Sequence, residues 1–149
     1  MNQIETGIVQ FEWAIKLYLY ETAFIPAITL AGAAEGIFGE LKNGYVFHKV
    51  SENIAFKNNL RTKQISQEIN KVRNWLKHGD CNKAFDDLNE QEFQAAAISR
   101  IIIAATALIH LKPNYMSNLF IQFMQNTQIY HSDFLPNDSF DWNKIEIEK

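Results

Sequence analysis

The stretch FQAAAISRIIIAATALIHL, residues 93–111, decides the fold. Apolar side chains occupy nearly every face of a helix drawn through it, and a helix of that kind must be surrounded by other elements, as the central helix of a bundle is. Asn89, with Glu92 three residues later, predicts the cap at its N-terminus. Pro113 ends it. We therefore expect a buried central helix.

This stretch does not have the features of a membrane span. Its most apolar part, residues 95–111, contains Arg100 and His110 and is shorter than the about 20 residues that a bilayer requires. Residues 1–5 carry neither the basic residues nor the apolar run of a signal peptide. The single cysteine, Cys81, cannot form an internal disulfide. These features predict a soluble, cytoplasmic protein without a membrane partner.

Two helices precede the central one in the N-terminal part of the chain. Apolar residues at steps of three and four predict an amphipathic helix over 4–20, and a second helix is expected over 26–43. Gly32, Gly36 and Gly39 share one face of the second helix. Because glycine destabilises a helix by up to about 1 kcal/mol relative to alanine, this stripe predicts the close approach of another helix.

Two more helices complete the predicted architecture. One covers 62–78 and the other covers 116–130, and the polar tail 131–149 is expected to be irregular. The chain of 149 residues shows no repeat, no linker and no credible strand. The sequence thus predicts one all-α domain over 1–149, an antiparallel bundle of four to five helices.

Charge is distributed unevenly along the chain. The formal net charge is −3, but residues 57–83 hold seven lysines and arginines against two acids, which gives +5. The segments on either side of this basic region are acidic. Since a phosphate responds to the local potential more than to the total charge, the basic region indicates RNA or another phosphate-bearing anion as a partner.

Several common chemistries are excluded by the absence of their motifs. The chain has no Glu-x-x-His pair for a di-iron site, no His-Glu-x-x-His, no Gly-rich phosphate loop and no Gly-x-Ser-x-Gly elbow. His48 and Glu52 lie four residues apart and are interpreted as a solvated pair. We predict neither a metal nor a cofactor.

Glu35 stands out because it lies among alanines and glycines of the second predicted helix. That setting predicts a buried carboxylate, and a buried carboxylate needs a partner. Arg73 and Arg100 are the two candidates. A structural ion pair is favoured over a catalytic role, and a Glu35 that faces solvent is the simpler alternative.

The string RNWLKHGD, residues 73–80, carries the chemistry at the end of the helix predicted over 62–78. Asn74 and His78 are four residues apart and share one helical face, and Arg73 is adjacent to that face. An imidazole that titrates near neutral pH can take a proton from a ribose 2′-hydroxyl or give one to the leaving 5′-oxygen. A guanidinium can hold the phosphate. Because one histidine cannot be acid and base at once, a symmetric dimer is expected to supply the second.

Arg73-x4-His78, with Asn74 directly after the arginine, resembles the motif of the HEPN superfamily of small all-α proteins. The resemblance implies a metal-independent ribonuclease, toxin or defence related, that acts as a homodimer and in some members pairs with a nucleotidyltransferase antitoxin. By this resemblance Arg73 and His78 would be the catalytic pair and Asn74 a supporting polar residue. Lys77 and Asp80 are the other candidate binding or supporting residues, and Asp80 could act by orienting His78 or Arg73. Asp80 departs from the pattern, because several toxin members carry tyrosine there.

Two other interpretations remain open. Some HEPN-like proteins are non-catalytic binding or dimerisation modules, and an antitoxin or a nucleotide or anion sensor would use the same basic end to hold an anion. Asp80 favours this alternative. The third interpretation is structural, since Lys77 and His78 in a last helical turn complement the negative end of the helix dipole without any function.

Overall fold

The computed structural model describes residues 1–40 and 89–134. They form four α-helices and a short 3-10 turn, which in chain order are α1 (Gln3–Tyr20), α2 (Phe24–Glu40), α3 (Glu90–Leu111), α4 (Asn118–Thr127) and the turn His131–Asp133. No strand occurs in this part of the chain, and the all-α prediction is confirmed for it. The helix predicted over 62–78 and the last part of the predicted tail, 135–149, lie outside the described residues.

A complete capping box starts α1. The side chain of Asn2 accepts the backbone N–H of Glu5 at 2.8 Å, and the Glu5 carboxylate accepts the N–H of Asn2 at 2.9 Å. The backbone N–H groups of Asn2 and Glu5, which have no partner within the helix, are thereby hydrogen-bonded. The helix begins at Gln3, one residue before the predicted start. Its buried face lies along the predicted apolar stripe and consists of Gly7, Phe11, Ala14, Ile15 and Tyr18.

The prediction for the glycine stripe is wrong at one of its three members, Gly36, while Gly32 and Gly39 are buried. Gly36 is half-buried, and a Cβ there would meet nothing within 4 Å, so the expected close approach is wrong at this position. The tight contact is at Gly7, where a Cβ would lie 2.5 Å from Cε1 of Phe38. Residues two apart on a helix point in roughly opposite directions, which turns Phe38 toward α1 and Gly36 away from it.

The apolar helix predicted to be central is α3. Among the described helices, however, α2 lies in the middle, because α2 packs against both α1 and α3 while α3 has few contacts with α1. The Asn89 side chain caps α3 by accepting the Glu92 N–H at 2.9 Å. The helix has 22 residues, more than its apolar part, and is long and apolar enough to cross a membrane by length and composition alone. In its most apolar window 56% of the residues are buried inside the molecule, and a single helix of this kind is weak evidence for a membrane span.

Aromatic packing attaches α4 to α1. Ser117 caps α4 by accepting the Phe120 N–H at 3.1 Å, so the helix begins two residues after the predicted start. The ring of Phe120 lies 5.6 Å from that of Phe11 and 5.4 Å from that of Phe134. Gln128, in the left-handed region with φ 59, ends the helix before residue 130. Phe134 is buried, so the start of the predicted tail packs on the core.

A polar chain joins α1 to the start of α4. The Tyr115 hydroxyl donates to Oε1 of Glu12 at 2.6 Å and lies 3.2 Å from Oγ of Ser117, the residue that caps α4. Burial, and after it the hydrogen bond to Glu12, raises the pKa of Tyr115 well above its usual value. Tyr115 therefore stays a protonated donor at neutral pH.

Tyr115→Phe is expected to lower the free energy of unfolding by about 1–2 kcal/mol at pH 7, because a hydrogen bond to a carboxylate is lost. The pKa of Tyr115 is raised in the folded state, so this stabilisation is complete below the pKa of about 10 that tyrosine has in the unfolded chain. The stabilisation decreases as the pH rises from that value toward the pKa of the folded state. Urea denaturation of both proteins at pH 7 and at pH about 10.5 measures the effect. The same difference at both pH values would contradict the assigned role.

Candidate functional site

The described residues include one of the predicted site residues. Glu35 lies on α2, whereas Arg73, Asn74, Lys77, His78 and Asp80 fall within 41–88, outside the described residues, as do His48, Glu52 and Cys81. The geometry of the Arg73–His78 motif is accordingly not part of the described structure. What the described part contributes is the environment of Glu35 and the location of charge and exposed surface around it.

Glu35 is buried between α2 and α3. Its carboxylate oxygen Oε2 lies 3.8 Å from Nη1 of Arg100, with side-chain exposures of 11% for Glu35 and 2% for Arg100. Of the two arginines named from the sequence, Arg100 is the one found beside it, and Arg73 lies outside the described residues. The separation is longer than a hydrogen bond, so Coulomb attraction in a poorly solvated setting couples the two charges.

This ion pair is a structural feature and not a substrate site. Arg100 is 1% exposed, so its guanidinium cannot reach the phosphate of a macromolecule without unfolding of the helix contact. Removing one partner of such a pair leaves a buried charge without compensation, which is strongly destabilising. The geometry therefore gives Glu35 and Arg100 a role in holding α2 against α3.

His110 lies in the last turn of α3. Its Nδ1 is 2.7 Å from the carbonyl oxygen of Thr106, one turn earlier, and the residue is half-buried. Because a carbonyl only accepts, Nδ1 must carry the proton. This is the hydrogen-bonded histidine of a helix end, and it offers no general base to a substrate through that nitrogen.

A shallow cavity of about 670 Å³ lies at the C-terminal end of α4, and its described lining consists of Ile121, Met124, Gln125, Gln128, Ile129, Tyr130 and His131. This lining contains no lysine or arginine, so it offers no fixed cation to a phosphate. Across residues 1–40 and 89–134 no group of three His, Cys, Asp or Glu is placed to hold a metal ion.

The outer face of α1 is a feature that the sequence analysis missed. Val9, Trp13 and Tyr20 are 43%, 50% and 58% exposed, and the exposed Lys16 places Nζ 4.6 Å from the centroid of the Trp13 ring. The spacing of these residues along the sequence could have indicated this second face of α1. The apolar pattern was used only to identify the buried face.

Comparisons of the chain with family models, with curated proteins and with solved structures find no match. The function has to be argued from the chain's own residues. Two features carry such an argument: the Arg73–His78 motif, known from the sequence, and the cavity at the C-terminal end of α4, known from the structure.

Proposed function

We propose that the protein is a HEPN-type, metal-independent endoribonuclease, toxin or defence related, that acts as a homodimer with a HEPN-like bundle fold. The observation that carries the proposal is Arg73-x4-His78, with Asn74 adjacent, in the most basic part of the chain. The helical architecture of residues 1–40 and 89–134 supports it, because the HEPN motif occurs in small all-α proteins.

The chemistry follows from the two side chains. One His78 takes the proton of a ribose 2′-hydroxyl, and the 2′-oxygen attacks phosphorus. The bond to the 5′-oxygen breaks, and the leaving oxygen receives a proton from the second His78 of the dimer. The products are a 2′,3′-cyclic phosphate and a 5′-hydroxyl. Arg73 stabilises the negative charge that builds on the phosphate oxygens.

The charge of the described helices supports placing the RNA contact in the basic region. Residues 1–40 and 89–134 contain three cations (Lys16, Arg100, Lys112) against eight acids, a sum of −5, and Arg100 is buried beside Glu35. Residues 57–83 carry +5. A polyanion is therefore attracted to the segment that holds Arg73 and His78 and repelled by the remaining surface.

His78→Ala is expected to reduce the cleavage rate by about 10²–10⁴-fold, the contribution typical of a general acid–base. The assay follows a labelled single-stranded RNA in excess EDTA, because the proposed reaction uses no metal. Arg73→Ala is expected to reduce cleavage similarly. His48→Ala, which removes a histidine outside the motif, is the matched control and should cleave at the wild-type rate.

RNA that stays intact with the wild-type protein, or a His78→Ala variant as fast as wild type, would overturn the nuclease. The alternative, a non-catalytic module that is an antitoxin or an anion sensor, is favoured by Asp80. It predicts saturable RNA binding without turnover, with an affinity that falls steeply as salt is raised and weakens in Arg73→Ala.

A further inference from the structure

The cavity at the C-terminal end of α4 combines apolar side chains with uncharged polar ones. Its described polar groups are the amides of Gln125 and Gln128, the phenol of Tyr130 and the imidazole of His131. The whole described lining falls within residues 113–132, which contain no aspartate, glutamate, lysine or arginine although 21% of the chain is charged. Its volume of about 670 Å³ is that of a small-molecule site.

Tyr130 gives this cavity an exposed aromatic ring on a fixed backbone. The residue is 73% exposed, yet its N–H donates to Oδ2 of Asp133 at 2.8 Å and its carbonyl accepts the N–H of Asp133 at 2.9 Å. Phe134, which follows this turn, is buried with its ring 5.4 Å from that of Phe120. Because the core holds the turn in place, a ligand that stacks on Tyr130 orders little additional chain.

The apolar part of the lining selects a ligand with a flat apolar face. It consists of Ile121, Met124 and Ile129. A sugar carries hydroxyl groups all around its ring, and those facing these side chains would lose their hydrogen bonds to water without replacement. An aromatic ligand has polar groups only at its edge, so it can stack on Tyr130 and pack its face against the aliphatic groups and Met124.

The polar part of the lining matches the edge of adenine. A glutamine amide offers one donor and one acceptor, which complement N7 and the N6 amino group of that base. Guanine presents two acceptors on the same edge and is bound there by arginine or lysine, and the described lining contains neither.

His131 adds a second polar group to the wall of the cavity. Its Nε2 is buried and has no hydrogen-bond partner in the described part of the chain. Buried polar atoms are nearly always hydrogen-bonded, so this exception calls for a partner. Since His131 lines the cavity, the polar edge of a bound ligand can supply that partner after a rotation of the imidazole.

The charge around the cavity favours a ligand without phosphate. Residues 1–40 and 89–134 contain three cations against eight acids, a sum of −5, and the described lining has no lysine or arginine. A phosphate therefore gains no contact in the cavity and is repelled by the charge of the described helices.

We infer that the cavity at the C-terminal end of α4 binds an uncharged adenine nucleoside, with the base stacked on Tyr130 and its N6/N7 edge on the amide of Gln125. The inference goes beyond the proposed function, because the cavity takes no part in RNA cleavage. The cavity is shallow and one aromatic ring stacks on the base, so the expected Kd for adenosine is on the order of 1 mM.

A ¹⁵N NMR titration of the full chain with adenosine tests the site. The backbone amide signals of residues 121–131 are expected to shift saturably. Uridine, whose smaller base stacks less strongly, is expected to bind more weakly, and AMP no more tightly than adenosine. Tyr130→Ala is expected to weaken adenosine binding at least about fivefold, the effect of losing one stacked aromatic side chain.

Two further variants show whether the ring and its position matter. Tyr130→Phe keeps the ring and is expected to bind adenosine within about twofold of wild type. Trp13→Ala removes another exposed aromatic side chain, on α1 and outside the cavity, and is the matched control that should leave binding unchanged. Circular dichroism verifies that each variant is folded.

A wild type whose signals for residues 121–131 do not shift at about 10 mM adenosine, tenfold above the expected Kd, overturns the inference. A folded Tyr130→Ala variant that binds as wild type does, or AMP bound at least tenfold more tightly than adenosine, also overturns it. An RNA oligonucleotide that binds more tightly than adenosine and depends on Tyr130 would replace the nucleoside by a base of RNA. His78→Ala is expected to bind adenosine normally, so the nucleoside site and the nuclease can fail separately.

Discussion

Arg100→Met is expected to lower the free energy of unfolding by about 3–5 kcal/mol, a large part of the stability of a domain of this size. The substitution keeps a flexible unbranched stem, shorter than that of arginine, and removes the charge 3.8 Å from Oε2 of Glu35. The carboxylate is then left in the contact between α2 and α3 with too little water to replace its partner. Urea denaturation followed by circular dichroism measures the change.

The double variant Glu35→Met/Arg100→Met separates the cost of a lone buried charge from the value of the pair. Replacing both charges with apolar groups is often neutral or stabilising, so the double variant is expected to lose less stability than the sum of the two single variants. The two single variants and the double form a cycle whose coupling energy reports the interaction. If the double variant is as unstable as the sum of the singles, the two residues are not coupled and the assigned ion pair is wrong.

Local patterns in the sequence were sufficient to predict the described helices. Steps of three and four identified α1 to within one residue, and Asn89 with Glu92 identified the start of α3. These signals work because a cap or an apolar stripe involves neighbours along the chain. The ends of α4 were less well predicted, since Ser117 and Gln128 fix them through a cap and a left-handed residue that the apolar pattern does not mark.

Contacts between helices were harder to predict. Gly36 of α2 was expected to mark a close approach, yet nothing approaches it, and the tight contact between α1 and α2 is at Gly7 of α1, which no repeated pattern indicates. Which glycine is needed depends on where a large side chain of another helix points, here Phe38, and one sequence does not contain that information directly. The same limit applies to Trp13, whose exposure depends on which face of α1 the core occupies.

The candidate site shows the reverse situation. Arg73 and His78 are five residues apart in the sequence, so their relative placement on the helix predicted over 62–78 follows from that spacing. Their position relative to a second copy depends on how the chains assemble. The described helices add a constraint that the sequence lacked, because Arg100 is buried beside Glu35 and residues 1–40 and 89–134 carry a net negative charge. Both observations support the proposal that an anionic partner binds the basic region.

Gly7→Ala and Gly36→Ala, the same substitution in neighbouring helices, are expected to change stability in opposite directions. At Gly7 the added methyl would lie 2.5 Å from Cε1 of Phe38, a ring with 0% exposure that cannot move aside freely. Overpacking of this kind costs about 1–3 kcal/mol, more than the up to about 1 kcal/mol that alanine adds to a helix. At Gly36 nothing lies within 4 Å, so the gain in helix propensity remains and raises stability by about 0.5–1 kcal/mol.

Thermal unfolding of the two variants beside the wild type gives the comparison, with the melting temperature expected to fall for Gly7→Ala and to rise for Gly36→Ala. Gly7→Ala/Phe38→Leu tests the cause, because a smaller side chain at 38 makes room for the methyl and should recover stability relative to Phe38→Leu alone. If the two glycine variants shift the melting temperature equally, the tight contact between α1 and α2 is not at Gly7. Opposite shifts, with recovery in the double variant, place the closest approach of these helices at a residue that the glycine pattern of α2 does not mark.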